Sequence, residues 1–288
     1  MFLLAILLSL ILESFVPALD RLRSVEWFHR YAAACRRRLL RGARGGSAAV
    51  LAIVLPPVLL LGGLQYLLDE MLWLLSFLLS LVVLVFAMGP RDPRRLVRDY
   101  LAAREAGEET RLAAVLSALL PYRPPHESQA RDEAVLDMVF ILTHERLLAV
   151  FFWFVILGPM GAILYRLVSE LVTVPPEDAN ADYWLTATRL HMVLAWLPAH
   201  LSALSFAVMG SFVHALQAWR EAVRHAPPRE QPLLPVCDQY VVRTGRAALQ
   251  LEHLEGAAAV HEALALCQRS LIAWVTVLAL LTLTGWVF

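Results

Sequence analysis

The chain has 288 residues, of which 59% are hydrophobic and only 17% charged, with 25 basic and 25 acidic side chains and a formal net charge of zero. Together with its positive mean hydropathy, this composition excludes an average soluble domain and makes an integral membrane protein the default. All 25 basic residues are arginine, so a Walker A lysine and a Schiff base are both excluded, and no glycine-rich phosphate loop is present.

Met1 to Leu19 reads as an apolar helix interrupted by Glu13, with Arg21 and Arg23 after it and no positive stretch before it. That charge order is the reverse of a cleavable signal peptide and predicts a retained first anchor. Asp20 to Gly46 carries eight arginines, including Arg36-Arg37-Arg38. Beside a membrane helix such a run is a topology determinant that meets anionic headgroups, and a nucleic-acid patch is the weaker reading. Ser47 to Leu68 and Leu72 to Met88 are two apolar runs parted by Asp69, Glu70 and Met71, which predicts a helical hairpin, with a kink expected at Pro56-Pro57. Gly89-Pro90 ends the hairpin.

Amphipathic helices are expected from Asp92 to Leu120, broken near Gly107, and a loop at 121–125, PYRPP. From Glu127 a helix should run through Asp137 and His144 into Leu147–Tyr165. That segment is nineteen residues without a charge, or about 28 Å of helix, close to the thickness of a bilayer core. Gly158-Pro159 interrupts it and frees a carbonyl that must find a partner inside protein. The acidic stretch 172–184, with Glu177, Asp178 and Asp182, reads as an outer loop. Leu190 to Val213 is the fifth span, containing Pro198; Arg220 to Arg269 is a second basic region, Pro-rich at 227–235 and helical from Tyr240. Leu271 to Phe288 is the last span, with Trp286 at its outer end.

The expected fold is therefore an all-α polytopic membrane protein of about six segments. Its organisation is 1–88 (anchor, basic loop and hairpin), 89–146 (helical), 147–213 (broken membrane helices), 214–269 (helical) and 270–288 (last helix). Segments 20–46, 89–146 and 214–269 hold eight, nine and six arginines, leaving Arg166 and Arg189 for the other side. This asymmetry places the arginine-rich loops in the cytoplasm of a bacterial inner membrane. In the alternative, the segments around Pro159 and Pro198 are re-entrant, four true spans remain, and the acidic loop moves inside.

The order of LLSLILESF, basic loop, hairpin, helical region, RLLAVFFWFVILGPMGAILYR and WLPAHLSA resembles the AmpE family of inner-membrane proteins. The most specific part is FFWFVILGPMGAILYR at 151–166. The resemblance implies a regulatory signalling role in β-lactamase induction and cell-wall recycling, in response to antibiotic, with no defined catalysis. AmpE is in turn similar to CobD/CbiB-type cobalamin-biosynthesis membrane proteins, which join an aminopropanol arm to a corrin carboxylate. Those carry an E-N-x-x-D-like stretch before the aromatic segment, N-T-L-D after its Y-R, and D-D-x-x-N before P-A-R-L. Here the stretches read ILTHERLL, with Glu145 the only acid, LVSELVT, with Glu170 alone, and HMVLAW. Tyr165-Arg166 is kept, but most carboxylates able to hold Mg²⁺ or activate a carboxyl group are missing. The resemblance thus implies a retained scaffold without the ligase chemistry; the alternative is a CbiB-like transferase or ligase acting on an anionic membrane-associated substrate.

Six residues are candidates for ligand binding. Arg166 either snorkels to headgroups or, buried, holds a phosphate or carboxylate through bidentate hydrogen bonds, and Glu170 follows it in the matching stretch. Glu13 either reaches the interface or pairs with an arginine; a pair with Arg166 would join opposite membrane faces in the six-span arrangement. His144 and Glu145 read as solvated interfacial residues or as a proton-transfer pair. His200 belongs with His191 and His214 to a trio whose spacings of nine and fourteen place them on different faces, unlike a zinc helix. Cys35, Cys237 and Cys267 are too scattered for a disulfide framework or metal site. Phe151 to Phe154 reads as packing and lipid contact. No cofactor, metal or nucleic acid is implied; the partners expected are the bilayer and a cell-wall-derived or other anionic small molecule.

Overall fold

The computed structural model describes residues 2–15, 25–39, 46–90, 92–173, 181–224, 236–250 and 256–284. Arg21, Arg23, Glu177, Asp178, the 227–235 stretch and Trp286 lie outside them. The described residues form helices and no strand. The protein is an all-α, polytopic membrane protein. Five helices are long and apolar enough to cross a bilayer, and Phe2–Glu13 is a shorter apolar helix. The chain divides into two compact units, Met1–Pro90 with Ala149–Ala195 and Val277–Phe288, and Arg91–Leu148 with Trp196–Thr276.

In the first unit, α1 (Phe2–Phe15), α2 (Glu26–Leu39), α3 (Gly46–Met71), α4 (Trp73–Met88) and α8 (Ala149–Thr173) pack together. The hairpin of α3 and α4 turns on one residue, Leu72, and is tied by polar side chains of the two helices. Gln65 Nε2 donates to Ser76 Oγ at 2.5 Å, and Ser76 Oγ donates to Asp69. Helix α3 continues through Pro56 and Pro57. A proline cannot donate to the carbonyl four residues back, and the Tyr31 hydroxyl approaches that of Ala52 at 3.5 Å.

The break expected in α8 is at Gly158, which has φ 63° and ψ −154°. A side chain on Gly161 would meet the carbonyl of Trp153, eight residues back, where an unbroken helix would hold the two about 12 Å apart. Only a sharp kink brings them together. Helix α9 (Ala181–Met209) is continuous through Pro198, and the carbonyl which that proline leaves free, Leu194, accepts the Trp153 indole N–H at 2.9 Å. Trp153 is thus more than packing. Helix α9 also begins earlier than the expected fifth span, because Asp182 in its first turn accepts the Gly46 N–H at 2.5 Å.

In the second unit, α5 (Pro93–Glu105) and α6 (Glu109–Leu119) are separated by Gly107 at φ 66°. Asp92 caps α5 by accepting the Arg94 N–H, with Pro93 at its first position. Helix α7 (Ser128–Thr143) buries Asp132, which accepts from the Tyr100 hydroxyl at 2.7 Å and pairs with Arg104 at 2.9 Å. A one-turn π segment, His144–Leu148, follows α7 and leads into α8. The unit is completed by α10 (Phe212–Arg224) and α11 (Val236–Leu249), which pack closely, and by most of α12 (Gly256–Leu283). The final apolar run therefore belongs to a helix that starts well before it.

Candidate functional site

Arg166 and Glu170 occupy successive turns of α8, and this i,i+4 spacing puts them on one face. They form an ion pair at 2.5 Å, with 16% and 10% of their side-chain surfaces exposed. His29 of α2 reaches the same carboxylate, Nε2 to Oε2, at 3.2 Å. Arg36, two turns along α2 and itself buried, hydrogen-bonds the Tyr183 hydroxyl of α9. A cleft of about 180 Å³ lies among His29, Ala32, Ala33, Arg36, Glu170 and Tyr183. It exists because the two α2 positions between the cations are alanines, too small to fill it.

Gly89 completes the setting. Its φ of 69° favours glycine, and any side chain there would run into the Arg166 guanidinium. Arg166 and His29 thus hold the Glu170 carboxylate at the wall of the cleft, and the Arg36 guanidinium lines the same cleft, which suits it to an anionic group.

This placement corrects the six-span arrangement in one respect. Arg166 and Glu170 were expected at the opposite end of the helices from the basic 20–46 segment, yet His29 and Arg36 of that segment meet Glu170 and Tyr183 within the first unit. Counting arginines by loop treats each loop as a sum, and cannot see that the acids of one neutralise the cations of another. Glu13 is buried near the end of α1, which packs on α4 and α8; it does not reach solvent as an interfacial residue would.

The second unit gathers the other candidates differently. His144 is fully buried and shares a hydrogen bond with Ser202 at 2.9 Å, while Ser202 donates to the Pro198 carbonyl. It is not a solvated interfacial residue. Glu145, beside it on the π segment, acts electrostatically on Cys237 and Asp238 of α11. Burial, reinforced by Glu145, raises the Asp238 carboxyl well above its ordinary range; burial, with Asp238 and Glu145 adding to it, pushes the Cys237 thiol up to about 12. Oδ1 of Asp238 is buried without a hydrogen-bond partner.

His200 sits among Trp196, Trp219 and Tyr240, with ring centroids 4.6, 5.8 and 5.8 Å away, and its Nδ1 donates to the Trp196 carbonyl at 2.7 Å. It is held by aromatic rings, apart from other ionisable candidates. His191 packs against Tyr165 in the first unit, and His214 bonds Ser211 and Gln250 in the second.

Among the described residues, no group of three or more His, Cys, Asp or Glu could hold a metal ion. The one carboxylate in the cleft, Glu170, is already taken by Arg166 and His29, which makes it a poor ligand for Mg²⁺. Among the described residues, those lining the cleft do not fit a resident metal.

Sequence reasoning found Arg166 and Glu170 but missed His29, Arg36, Tyr183 and Asp238. A signal for two of them was present: His29, Ala32, Ala33 and Arg36 recur at i, i+3, i+4 and i+7, the stripe of one helix face, hidden inside an arginine run read only for its charge.

The family model of the CobD/Cbib protein matches residues 3–232. Two curated relatives are each named cobalamin biosynthesis protein CobD. That of Chromobacterium violaceum is 32% identical over 101 residues, 34% of this chain and 31% of the relative. That of Stutzerimonas stutzeri is 28% identical over 169 residues, 57% of this chain and 54% of the relative. The alignments therefore span about a third and about half of the relatives' lengths. No solved structure matches. These matches overturn the AmpE reading, and with it β-lactamase induction and signalling. The aromatic segment behind that reading marks a membrane scaffold, and apolar packing residues carry little information about chemistry.

Proposed function

Because this chain belongs to the CobD/CbiB family, we propose that it acts in cobalamin biosynthesis as a membrane transferase or ligase whose substrate is anionic and membrane-associated. The observation that carries this reading beyond the family match is the cleft lined by His29, Arg36 and Glu170, with Arg166 paired to Glu170 behind it. A carboxylate of the substrate is held there by the Arg36 guanidinium, beside the Arg166–Glu170 pair. The arginine-rich α2 end of the first unit faces the cytoplasm of a bacterial inner membrane, so the cleft opens on that side.

The test is growth. A bacterium lacking its own family member is given this chain and grown where cobalamin must be made. Restored growth with the unaltered chain, lost in Arg36→Gln and Arg166→Gln variants that still reach the membrane, is expected. Equal growth with and without the chain, at matched membrane levels, would overturn the assignment.

A further inference from the structure

We infer that Glu170 is a built-in stand-in for the ligand: it occupies the seat on Arg166 and His29 that a carboxylate of the bound molecule takes, and the ligand enters by displacing it. This deepens the reading above and rests on it for the anionic class of the substrate.

The geometry carries the argument in three steps. Glu170 lines the cleft, and it is held by side chains of two different helices, Arg166 at 2.5 Å and His29 at 3.2 Å. An arriving carboxylate is therefore offered the donors that already fit one. The free space beside the pair, about 180 Å³, is below the roughly 300–1,000 Å³ of a pocket that swallows a whole small molecule. It takes the carboxylate-bearing end while the rest of the ligand stays outside. The His29 side chain retains 37% of its surface, so this side of the pair is the one open to approach.

Displacement has a definite electrostatic balance. Swapping one carboxylate for another leaves Arg166 with a partner, so the guanidinium is never stranded, and the cost of displacement falls on the released Glu170, which is why the ligand binds more weakly than it would to a site without it. The released Glu170 sits on the last turns of α8 and can swing with its own rotamers. Affinity is the difference between two carboxylates competing for one seat, and removing the internal one should raise it.

The experiment uses the full chain in nanodiscs of phosphatidylcholine, with succinate as the probe and binding followed calorimetrically. Glu170→Gln, which keeps size but removes the competing charge, is expected to bind succinate about tenfold tighter than the unaltered chain, and Arg166→Gln to lose binding. Equal or weaker binding by Glu170→Gln, in a protein whose thermal transition shows it folded, would overturn the inference. If that variant does not fold, Glu170→Asp, whose shorter reach loosens the hold on Arg166, is expected to tighten binding severalfold, and no tightening overturns the idea equally.

Repeating the titration with phosphatidylglycerol in the disc separates sources. Unchanged succinate binding supports a soluble ligand, whereas its abolition assigns the seat to a lipid headgroup and overturns the inference. Growth rescue without tightening in Glu170→Gln would sink displacement alone. Tightening without growth rescue would sink the biosynthetic assignment alone.

Discussion

Glu170 in the first unit and Asp238 in the second are both buried carboxylates, at 8% and 2% exposure, and their surroundings are opposite. Glu170 is paired with Arg166 on its own helix face and contacted by His29 of α2. Asp238 faces the like charge of Glu145 and leaves one oxygen without a hydrogen bond. Burial costs a carboxylate its hydration in either case: the Arg166 partner offsets that cost for Glu170, whereas the like charge of Glu145 adds to it for Asp238 and favours its protonated form. The first arrangement makes a place where anions are welcome, and the second makes a site that repels them. That contrast, more than the number of charges, singles out the first unit for an anionic substrate.

The sharpest way to break the contrast is to remove the compensation from Glu170. Arg166→Ala leaves a buried carboxylate with His29 alone, and the expected loss of stability is about 3 kcal/mol, the low end for broken buried pairs because both side chains keep some solvent contact. Denaturation of the purified protein in detergent measures it, and a loss no greater than that of an exposed arginine would show that the pair is solvated after all.

The converse change should do the opposite. Asp238→Asn keeps the shape and removes the charge problem, so stability at neutral pH should rise by about 1–2 kcal/mol. A carboxyl whose pKa is raised by folding holds its proton more tightly in the folded state. The folded form is therefore favoured most below the ordinary value of 3.8 and loses that advantage as pH climbs through the raised one. The gain from Asn should accordingly fade as pH falls toward 3.8. A gain that persists unchanged in acid would assign it to something other than the carboxyl.

The smallest effect concerns Cys237 beside it. With its thiol pushed up to about 12 and its side chain buried, a maleimide at pH 8 should modify half-buried Cys35 and leave Cys237 untouched in the folded protein. Peptide mapping reads this directly, and fast labelling of Cys237 would mean that the acidic pocket is open to solvent.

Arg166 and Glu170 were legible as a pair because helical periodicity alone puts residues four apart on one face. At Pro198, where a break was also expected, α9 runs on and only the Leu194 carbonyl is freed; the break at Gly158-Pro159 was legible, for a similar local reason. What fills such a gap was not: the Trp153 donor comes from another helix, inside an aromatic run whose composition suggests only packing. His144 and Glu145 show the same limit. Their position at the edge of an apolar run implied solvent, but Ser202 covers the histidine, and a residue's distance from charged neighbours in sequence does not measure its burial.

By itself the sequence determined that the chain is helical and membrane-bound, where the apolar runs fall, and that one of them breaks at Gly158-Pro159, though not that the helices run on through Pro56, Pro57 and Pro198. These follow from properties each short stretch carries alone: side-chain hydropathy, helical period and the missing N–H of proline. Only the tertiary structure decided that α2 lies against the end of α8, with His29 and Arg36 beside Glu170 and two alanines leaving room between. A cleft is made of distances between segments remote in sequence, set by which faces pack together, and no property of the separate segments fixes that choice.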